Sequence, residues 1–290
     1  MENWDDYRLI LALHRGKTLR GAAEILTLNH STVSRRVLAL KNKYNADVFE
    51  SNQSGFVLTC FGKTLLHSAQ EIEKLILSDL RREQSVNADL SGNIHLSVPP
   101  AIAQFLIFDA LHDFQLQHKN ISLHVHTSYS LADLDRSEAD VVVRVSNTPD
   151  EHLVGHRLFP IYLGYYASEA YLEAKECSQY QWITNVYQQA APTWIAQSPF
   201  PDAPIGFTIE DLVLRHYAAL KGQGMILGAC YIADTLGLKR LNTQSLMIHQ
   251  DIWVLTHPDL KDVPRIRALM RFLTHAIRQK KPLIFGEIKQ

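Results

Sequence analysis

Apolar positions recur at helical spacing through the first third of the chain and gather into short β-rich runs after it. Residues 4–14, WDDYRLILALH, predict an amphipathic first helix. A second helix carries Ala22, Ala23, Ile25 and Leu26, and its small Ala22-Ala23 pair lets a neighbouring helix pack close. Thr27-Leu28-Asn29 forms a turn. A third helix starts at His30 or Ser31 and runs to about Asn42. Its apolar residues Val33, Val37, Leu38 and Leu40 fall mainly at i, i+4 and i+7, which predicts one buried face. From Phe49 to Thr59 a polar tip ending in Gly55 separates two β-prone pieces, the pattern of a small hairpin. Phe61 to about Val86 predicts a long helix whose apolar stripe, Leu65, Ala69, Ile72, Ile76 and Leu80, is nearly heptad. Such a stripe suits pairing between subunits or packing on its own domain. Pairing is preferred, because the helix is long and few elements nearby would cover it.

Asp89-Leu90-Ser91-Gly92-Asn93 breaks the pattern as a linker. Beyond it, IHLSV, ISLHVH and DVVVRV are strand-like runs separated by helical stretches at Ala101–Gln117 and Leu131–Ser137. Alternation of this kind predicts a mostly parallel α/β sheet. Later strand candidates are Ile161–Tyr166, Trp182–Val186, Ile205–Thr208, Met225–Gly228 and Ile252–Thr256. Helix candidates are Ile209–Leu220, Cys230–Leu236 and Pro264–Arg278, the last returning to pack on the first half of this region. No internal repeat or low-complexity tract is visible.

Composition narrows the class. A chain of 290 residues supports two domains, and 46% hydrophobic with 20% charged residues is globular and water-soluble in character. The acidic start MENWDDYRLI is not a signal peptide, and no apolar run is long enough to span a bilayer. A cytoplasmic location without membrane association is expected. The three cysteines, Cys60, Cys177 and Cys230, have neither metal-ligand nor disulfide-framework spacing. Nothing local activates either later thiol, which disfavours redox sensing. The fourteen histidines are scattered, with no His-Glu-x-x-His, Cys-x-x-Cys or Gly-x-Ser-x-Gly pattern. No catalytic residues, metal or cofactor are expected.

Charge and side-chain chemistry converge on the helical N-terminus. The chain carries a net charge of -1, yet Arg8–Lys43 holds eight lysines and arginines and the single acid Glu24. Ser31, Thr32, Ser34, Arg35 and Arg36 stand at the start of the third helix, largely off its apolar face. Hydroxyls there can bond base edges or phosphates, and arginine can bond guanine in bidentate fashion. Free helix N–H groups also favour phosphate. The pattern points to a helix-turn-helix that binds double-stranded DNA, with the following hairpin as a wing. A solvated basic face on an ordinary helical hairpin is the alternative, disfavoured by the order Ser-Thr-x-Ser-Arg-Arg. Base contact is assigned to Ser31, Thr32, Ser34 and Arg35. Phosphate contact is assigned to Arg20, Arg36 and Lys43, with solvent an equal alternative for Arg36. His30 either caps the helix or touches a base.

The order of parts resembles the LysR-type transcriptional regulators over nearly the whole chain. The resemblance rests on Arg20-Gly21-Ala22-Ala23-Glu24-Ile25-Leu26, Ser31-Thr32-Val33-Ser34-Arg35-Arg36-Val37, Leu40, Val48-Phe49 and Leu58-Thr59-x-x-Gly62. Further on it rests on Asp140-Val141-Val142-Val143-Arg144, Gly222-Gln223-Gly224-Met225, His257-Pro258 and Pro264-Arg265-Ile266-Arg267. It implies a winged helix-turn-helix at 1–60, a dimerising linker helix at 61–90 and a two-lobed α/β effector domain at 91–290 like periplasmic solute-binding proteins. The lobes are expected at about 91–160 with 265–290, and at 161–264. It also implies a homodimer or homotetramer, a promoter operator, a small-molecule effector of unknown identity, and RNA polymerase as a further candidate partner. A metabolite-sensing protein whose basic domain binds DNA nonspecifically is the alternative function.

Three departures shape the expectation. Ser51 and Ser54 replace the two arginines usual in the family wing, so the wing should hold DNA more weakly. Lys41 stands where the recognition motif commonly ends in an acid. Pro99-Pro100-Ala101 replaces a loop hydroxyl after the first effector-domain strand, which argues against a simple carboxylate held at that loop. Projecting the family pocket onto strand ends nominates Pro100, Ala101, Ile102, Thr127, Ser128, Arg144, Ser146, Phe207, Thr208 and Met225. Arg144 fits an interlobe salt bridge or an anionic ligand, and Met225 and Phe207 fit core better than lining.

Overall fold

The computed structural model describes residues 3–52, 55–86, 90–129, 139–185, 192–241 and 246–287. The chain divides into two compact units, Met1–Arg81 and Arg82–Gln290. The first unit opens with α1 (Trp4–Gly16), α2 (Leu19–Leu26) and α3 (His30–Tyr44). In α1 the Asn3 side chain caps the first turn, acids lead it and His14 and Arg15 end it, each complementing the helix dipole. Thr18 caps α2 through the Gly21 amide at 2.9 Å. Thr27, in a left-handed conformation at φ 55°, stops it. Leu9, Ile10 and Leu13 of α1, Ala22 of α2 and Val33 of α3 are at most 1% exposed and form the core. Leu40 and Val37 pack there as well, but Leu38 is 58% exposed, against the expectation of one face containing all four. Five residues after Val33 the helical period has carried it to the opposite side.

Strands β1 (Phe49–Asn52) and β2 (Gly55–Leu58) form the expected antiparallel hairpin, with Phe49 opposite Leu58 and Asn52 opposite Gly55. The hairpin tip, including Ser54, lies outside the described residues. At the start of β2, next to the hairpin tip, the Phe56 amide donates to the Lys17 carbonyl at 2.7 Å. Gly55, at φ 106°, makes this approach possible, since a Cβ there would stand 2.3 Å from that carbonyl oxygen. Helix α4 (Cys60–Val86) follows. Its Leu65, Leu66 and Ala69 are buried in the first unit's own core, with Ile72 half-buried beside them. Arg15 forks onto Glu73 at 3.0 and 2.6 Å, tying α1 to α4. The stripe expected to pair subunits is therefore spent locally over its first half. Leu75 and Ile76 farther along are exposed.

The second unit is one sheet with helices packed on it. Its elements in chain order are β3 (Gly92–Val98), α5 (Pro100–Ile102), a π-helical turn (Ala103–Ile107), α6 (Phe108–Gln117), β4 (Ile121–Thr127), β5 (Val141–Ser146) and β6 (Val154–Ala167). There follow α7 (Glu169–Ala174), β7 (Trp182–Thr184), α8 (Thr193–Ala196), β8 (Ile205–Thr208), α9 (Leu212–Leu220), β9 (Met225–Ala229) and α10 (Cys230–Ala233). The unit ends with β10 (Lys239–Arg240), β11 (Met247–Thr256), α11 (Pro264–Gln279) and α12 (Lys281–Ile284). Strand order is β4-β3-β5-β11-β6-β9-β7-β8, with β10 on β6. The pairs β4-β3, β3-β5, β9-β7 and β7-β8 are parallel, whereas β5-β11, β11-β6 and β6-β9 are antiparallel. The expected mostly parallel sheet is thus correct only toward its two ends.

The centre differs because β6 and β11 are long strands that serve both ends. The sequence marked only Ile161–Tyr166 and Ile252–Thr256 as strand. Val154–Pro160 and Met247–Asp251 are also paired. Asp251–Thr256 lies beside β5, although the sequence placed all of 161–264 in the other half. Helix α11 returns to the β3 side, where Ile266, Leu269 and Leu273 share a core with Ile94, Leu96 and Ile252. The expected helix at Leu131–Ser137 lies outside the described residues.

One buried polar contact holds α9 to the sheet. His216 is fully buried between the Leu212 carbonyl (2.7 Å from Nδ1) and the Ala229 amide, which donates to Nε2 at 3.1 Å. Gly228 leaves room for the ring, because a Cβ there would lie 2.6 Å from Nε2. This requires a neutral imidazole, and burial lowers its pKa from 6.5 to about 4. Between those values the unfolded chain binds a proton that the folded chain refuses. Stability contributed by the neutral ring is complete above about pH 6.5 and declines toward pH 4, by about 3 kcal/mol in all. Thermal melts between pH 7.5 and 4.5 should show this fall. His216→Asn, which does not titrate, should start lower and fall less steeply.

Candidate nucleic-acid interface and ligand cavity

In the first unit the exposed side of α3 carries Ser31, Ser34, Arg35 and Leu38, which the helical period aligns. With His30, Val37, Lys41 and the wing residues Phe49 and Phe56, these four border a groove of about 600 Å³ between α3 and the wing. A second groove at the start of α3 gathers Arg20, Thr27, Asn29, His30 and Thr32. His30 thus borders both. Arg36 and Lys43 follow Thr32 down the flank of α3 and border neither. Asn29 makes no side-chain cap to α3. His30 is therefore the first helical residue rather than the cap.

Ion pairing divides the basic residues unequally. Arg8 pairs with Asp5 at 3.5 Å, Arg15 with Glu73 at 2.6 Å and Arg20 with Glu24 at 3.6 Å. Lys41 pairs with Asp47 at 2.8 Å, and Lys43 with Asp6 at 2.7 Å. The Asp6 hydrogen bond raises the Lys43 pKa above its ordinary value. Among the described residues no carboxylate stands within ion-pair distance of Lys17, Arg35 or Arg36. The basic excess counted along the sequence is thus mostly matched by acids from α1, α4 and the turn after α3. Among the described residues, its unmatched remainder lies on α3 and, at Lys17, beside the first residues of β2. Lys17 was not singled out by sequence reasoning, because only the fold brings its backbone against β2.

In the second unit a cavity of about 1000 Å³ opens where the two ends of the sheet meet. Of the sequence candidates, Ala101, Ile102, Arg144 and Ser146 line it. Pro100, Thr127, Ser128, Phe207, Thr208 and Met225 are not among its lining residues. Thr127 is exposed on the edge strand β4, and the Ser128 amide donates to the Val98 carbonyl at 3.2 Å. Phe207 and Thr208 are exposed on the opposite edge strand, so Phe207 is neither core nor lining. Met225 is fully buried under the aromatic cluster of Tyr165, Trp182 and Tyr180. It shares a strand face with the lining residues Leu227 and Ala229 but lies too near the start of β9 to reach the cavity. Pro100 stands between Pro99 and Ala101, which do line it.

Projecting onto strand ends missed much of the wall, since the antiparallel centre supplies Ile161, Leu163, Leu227, His249 and Gln250. It also missed Tyr129, Trp194, Tyr231 and Arg215. Arg215 left a trace in the sequence: an arginine inside the apolar helix LVLRHYAAL, on the same side as buried residues. Arg144 is 6% exposed and donates to the Val143 carbonyl and to Ser97 Oγ, both at 2.7 Å. Its expected interlobe salt bridge is not among the described contacts. Arg215 is 8% exposed and donates through Nη1 to the carbonyls of Ile209 (2.8 Å) and Glu210 (3.3 Å). Burial lowers both guanidinium pKa values, and for Arg215 the Asp211 charge partly opposes this. Cys230 is buried and its thiol is pushed up, while Cys60 and Cys177 are exposed. Among the described residues no cluster of three metal-ligating side chains occurs, and no helix is long and apolar enough to cross a membrane.

Comparison with known proteins accounts for both units. Residues 4–63 match the model of the bacterial regulatory helix-turn-helix protein, lysR family, and residues 87–278 match the LysR substrate binding domain. The Mau operon transcriptional activator of Paracoccus denitrificans is 24% identical over 91% of this chain and 93% of its own length. The full-length Vibrio cholerae virulence activator AphB shares the fold with a TM-score of 0.58 and 18% identity, over 94% of this chain and 99% of that one. Full-length LysG of Corynebacterium glutamicum, solved with its bound effector Arg, does so with a TM-score of 0.55 and 14% identity, over 94% and 98% of the two chains.

Proposed function

This chain belongs to the LysR family of bacterial helix-turn-helix transcriptional regulators, and from that premise we propose which of its residues read DNA and where its effector binds. It is a sequence-specific DNA-binding regulator with an effector-binding domain, and the relatives it matches are transcriptional regulators. The observation that carries the site assignment is the exposed row Ser31, Ser34 and Arg35 on α3, where Arg35 has no carboxylate partner among the described residues. In this reading these residues and Thr32 enter the major groove. His30 and Arg20 contact the flanking backbone, and Lys17 and Arg36 supply phosphate contacts. Lys43 contributes less than the sequence alone implied, because Asp6 already holds it. Lys17, whose backbone packs beside the start of β2, offsets part of what the arginine-free wing lacks.

The proposed domains are the winged helix-turn-helix at 1–60, the linker helix at 61–90 and the effector domain at 91–290. The active form is a cytoplasmic homo-oligomer, dimer or tetramer, with no catalytic role. The exposed Leu75 and Ile76 of α4 support pairing through the second half of that helix. RNA polymerase is the candidate partner at the promoter. The large cavity of the second unit is the effector site, supported by its size, its apolar walls and its few convergent polar groups. An effector that prefers one geometry of the domain changes the DNA-bound population by that difference in affinity.

Selection from a random duplex pool at two salt concentrations tests the DNA reading. A short interrupted palindrome should emerge. Arg35→Ala should weaken binding to it by about 1–3 kcal/mol and relax one position. Lys17→Ala and Arg36→Ala should weaken all sequences alike and flatten the salt dependence, each by more than Lys43→Ala. Retention that collapses with salt and enriches no sequence would instead support a metabolite sensor with a nonspecific basic domain.

A further inference from the structure

We propose that the cavity of the second unit selects a small organic dianion, one acidic group on Arg144, the other on Arg215, and an apolar body between them. The proposal rests on the reading of this cavity as the effector site and adds the chemical class of the effector. Arg144 stands on β5 and Arg215 on α9, so the two cations reach the cavity from opposite ends of the sheet. Both are more than nine-tenths buried. Among the described residues, no aspartate or glutamate lines the cavity.

Donor accounting strengthens this. A guanidinium has five N–H donors in a planar fork. Among the described residues, Arg144 directs one bond from each Nη to protein acceptors, and Arg215 bonds through its Nη1. Their partners among the described residues are neutral oxygens. Asp211, whose charge acts on Arg215, accepts the Leu214 amide as the cap of α9 and does not line the cavity. A buried cation without an anion is costly, and a cost incurred twice facing one cavity is one a ligand can relieve. Carboxylate or phosphate oxygens complete such a fork in bidentate fashion.

The rest of the wall defines the body of the ligand. Ile102, Ile161, Leu163 and Leu227 are apolar, and Trp194 and Tyr231 add aromatic surface. Inorganic phosphate or oxalate would leave this surface wet, whereas an aromatic or extended aliphatic dianion would cover it. The Pro99-Pro100-Ala101 loop lacks a hydroxyl to hold an acid, and the two arginines take that task. A ligand gripped from both ends of the sheet also binds best when those ends are close, which gives it preference for one geometry.

Calorimetric titration of the full chain tests the inference with a ladder of probes: succinate, adipate, terephthalate and biphenyl-4,4′-dicarboxylate. Benzoate serves as the monoanion, terephthalamide as the neutral isostere and 4-carboxyphenyl phosphate as the phosphate arm. The best dianion should bind at least about tenfold tighter than benzoate, and terephthalamide should bind weakest. Better binding of the phosphate arm would identify a phosphate-bearing effector within the same class. Arg144→Gln and Arg215→Gln should each reduce the best dianion to the benzoate level. Should near-UV dichroism show either Gln variant misfolded, the Lys variants decide. Those keep charge but lose the fork, and should cost about tenfold while retaining the preference for dianions. Equal affinity for benzoate and the dianions, or indifference to both arginine substitutions, overturns the two-cation assignment. Preferential binding of terephthalamide leaves the effector cavity standing and rejects the anion. Absence of binding by every probe, with no probe altering retention on operator DNA, rejects this cavity as the effector site and the dianion with it.

Discussion

Strands β6 and β11 run side by side through both ends of the sheet, and the geometry of the second unit depends on that pairing. Toward one end β11 joins β5, and toward the other β6 joins β9, so each parallel trio hangs from the same antiparallel pair. The pairing is irregular between Ile248 and Trp253. There the Arg157–Asp251 ion pair at 2.7 Å anchors β6 to β11, and the Trp253 indole, which donates to the Ser146 carbonyl at 3.0 Å, anchors β11 to β5. The cavity opens beside this crossing, bordered by Ile161 and Leu163 of one strand and His249 and Gln250 of the other. Any ligand there meets residues from both ends at once, and an antiparallel pair that passes through both is the mechanical link between them.

The two units handle charge in opposite ways. Between Arg8 and Lys43 the N-terminal unit meets five of its eight cations with carboxylates, and the surface pairs among them contribute little stability but remove charge that DNA would otherwise see. What remains is concentrated on α3 and beside the wing, which directs electrostatic attraction to the face that also carries the hydroxyls. Among the described residues, the two buried arginines of the C-terminal unit that line the cavity meet neutral oxygens. Surface pairing shapes a field, whereas buried unpaired cations create a demand for a particular ligand. In the proposed reading the same residue type serves docking in one unit and selection in the other.

Legibility in the sequence followed the range of the interactions involved. Helix α3 and its exposed row of Ser31, Ser34 and Arg35 were visible because the helical period acts over a few residues, and such a row needs only that period. Leu38 was misjudged because apolar identity was read as burial, though its position in the turn already placed it opposite Val33. The heptad-like stripe of α4 was visible, but its coverage by Ile10, Leu13 and their neighbours was not, since that depends on how α1 folds back. The first part of β6 was missed because His156 and Arg157 interrupt its apolar pattern, as an exposed flank allows.

By itself the sequence determined the order of elements, the helix-turn-helix with its hydroxyl and arginine row, the α/β character of the remainder and the presence of Arg144 at the end of an apolar strand. Local periodicity and side-chain chemistry suffice for these, because each is decided within one or two turns of chain. Only the tertiary structure decided which cations meet a carboxylate, that the middle of the sheet is antiparallel, and that Arg144 and Arg215 face one cavity. Those outcomes depend on contacts between residues far apart in the chain. Asp6 meeting Lys43, β11 returning beside β5 and α9 returning over β9 arise from how buried surfaces fit together rather than from any local pattern.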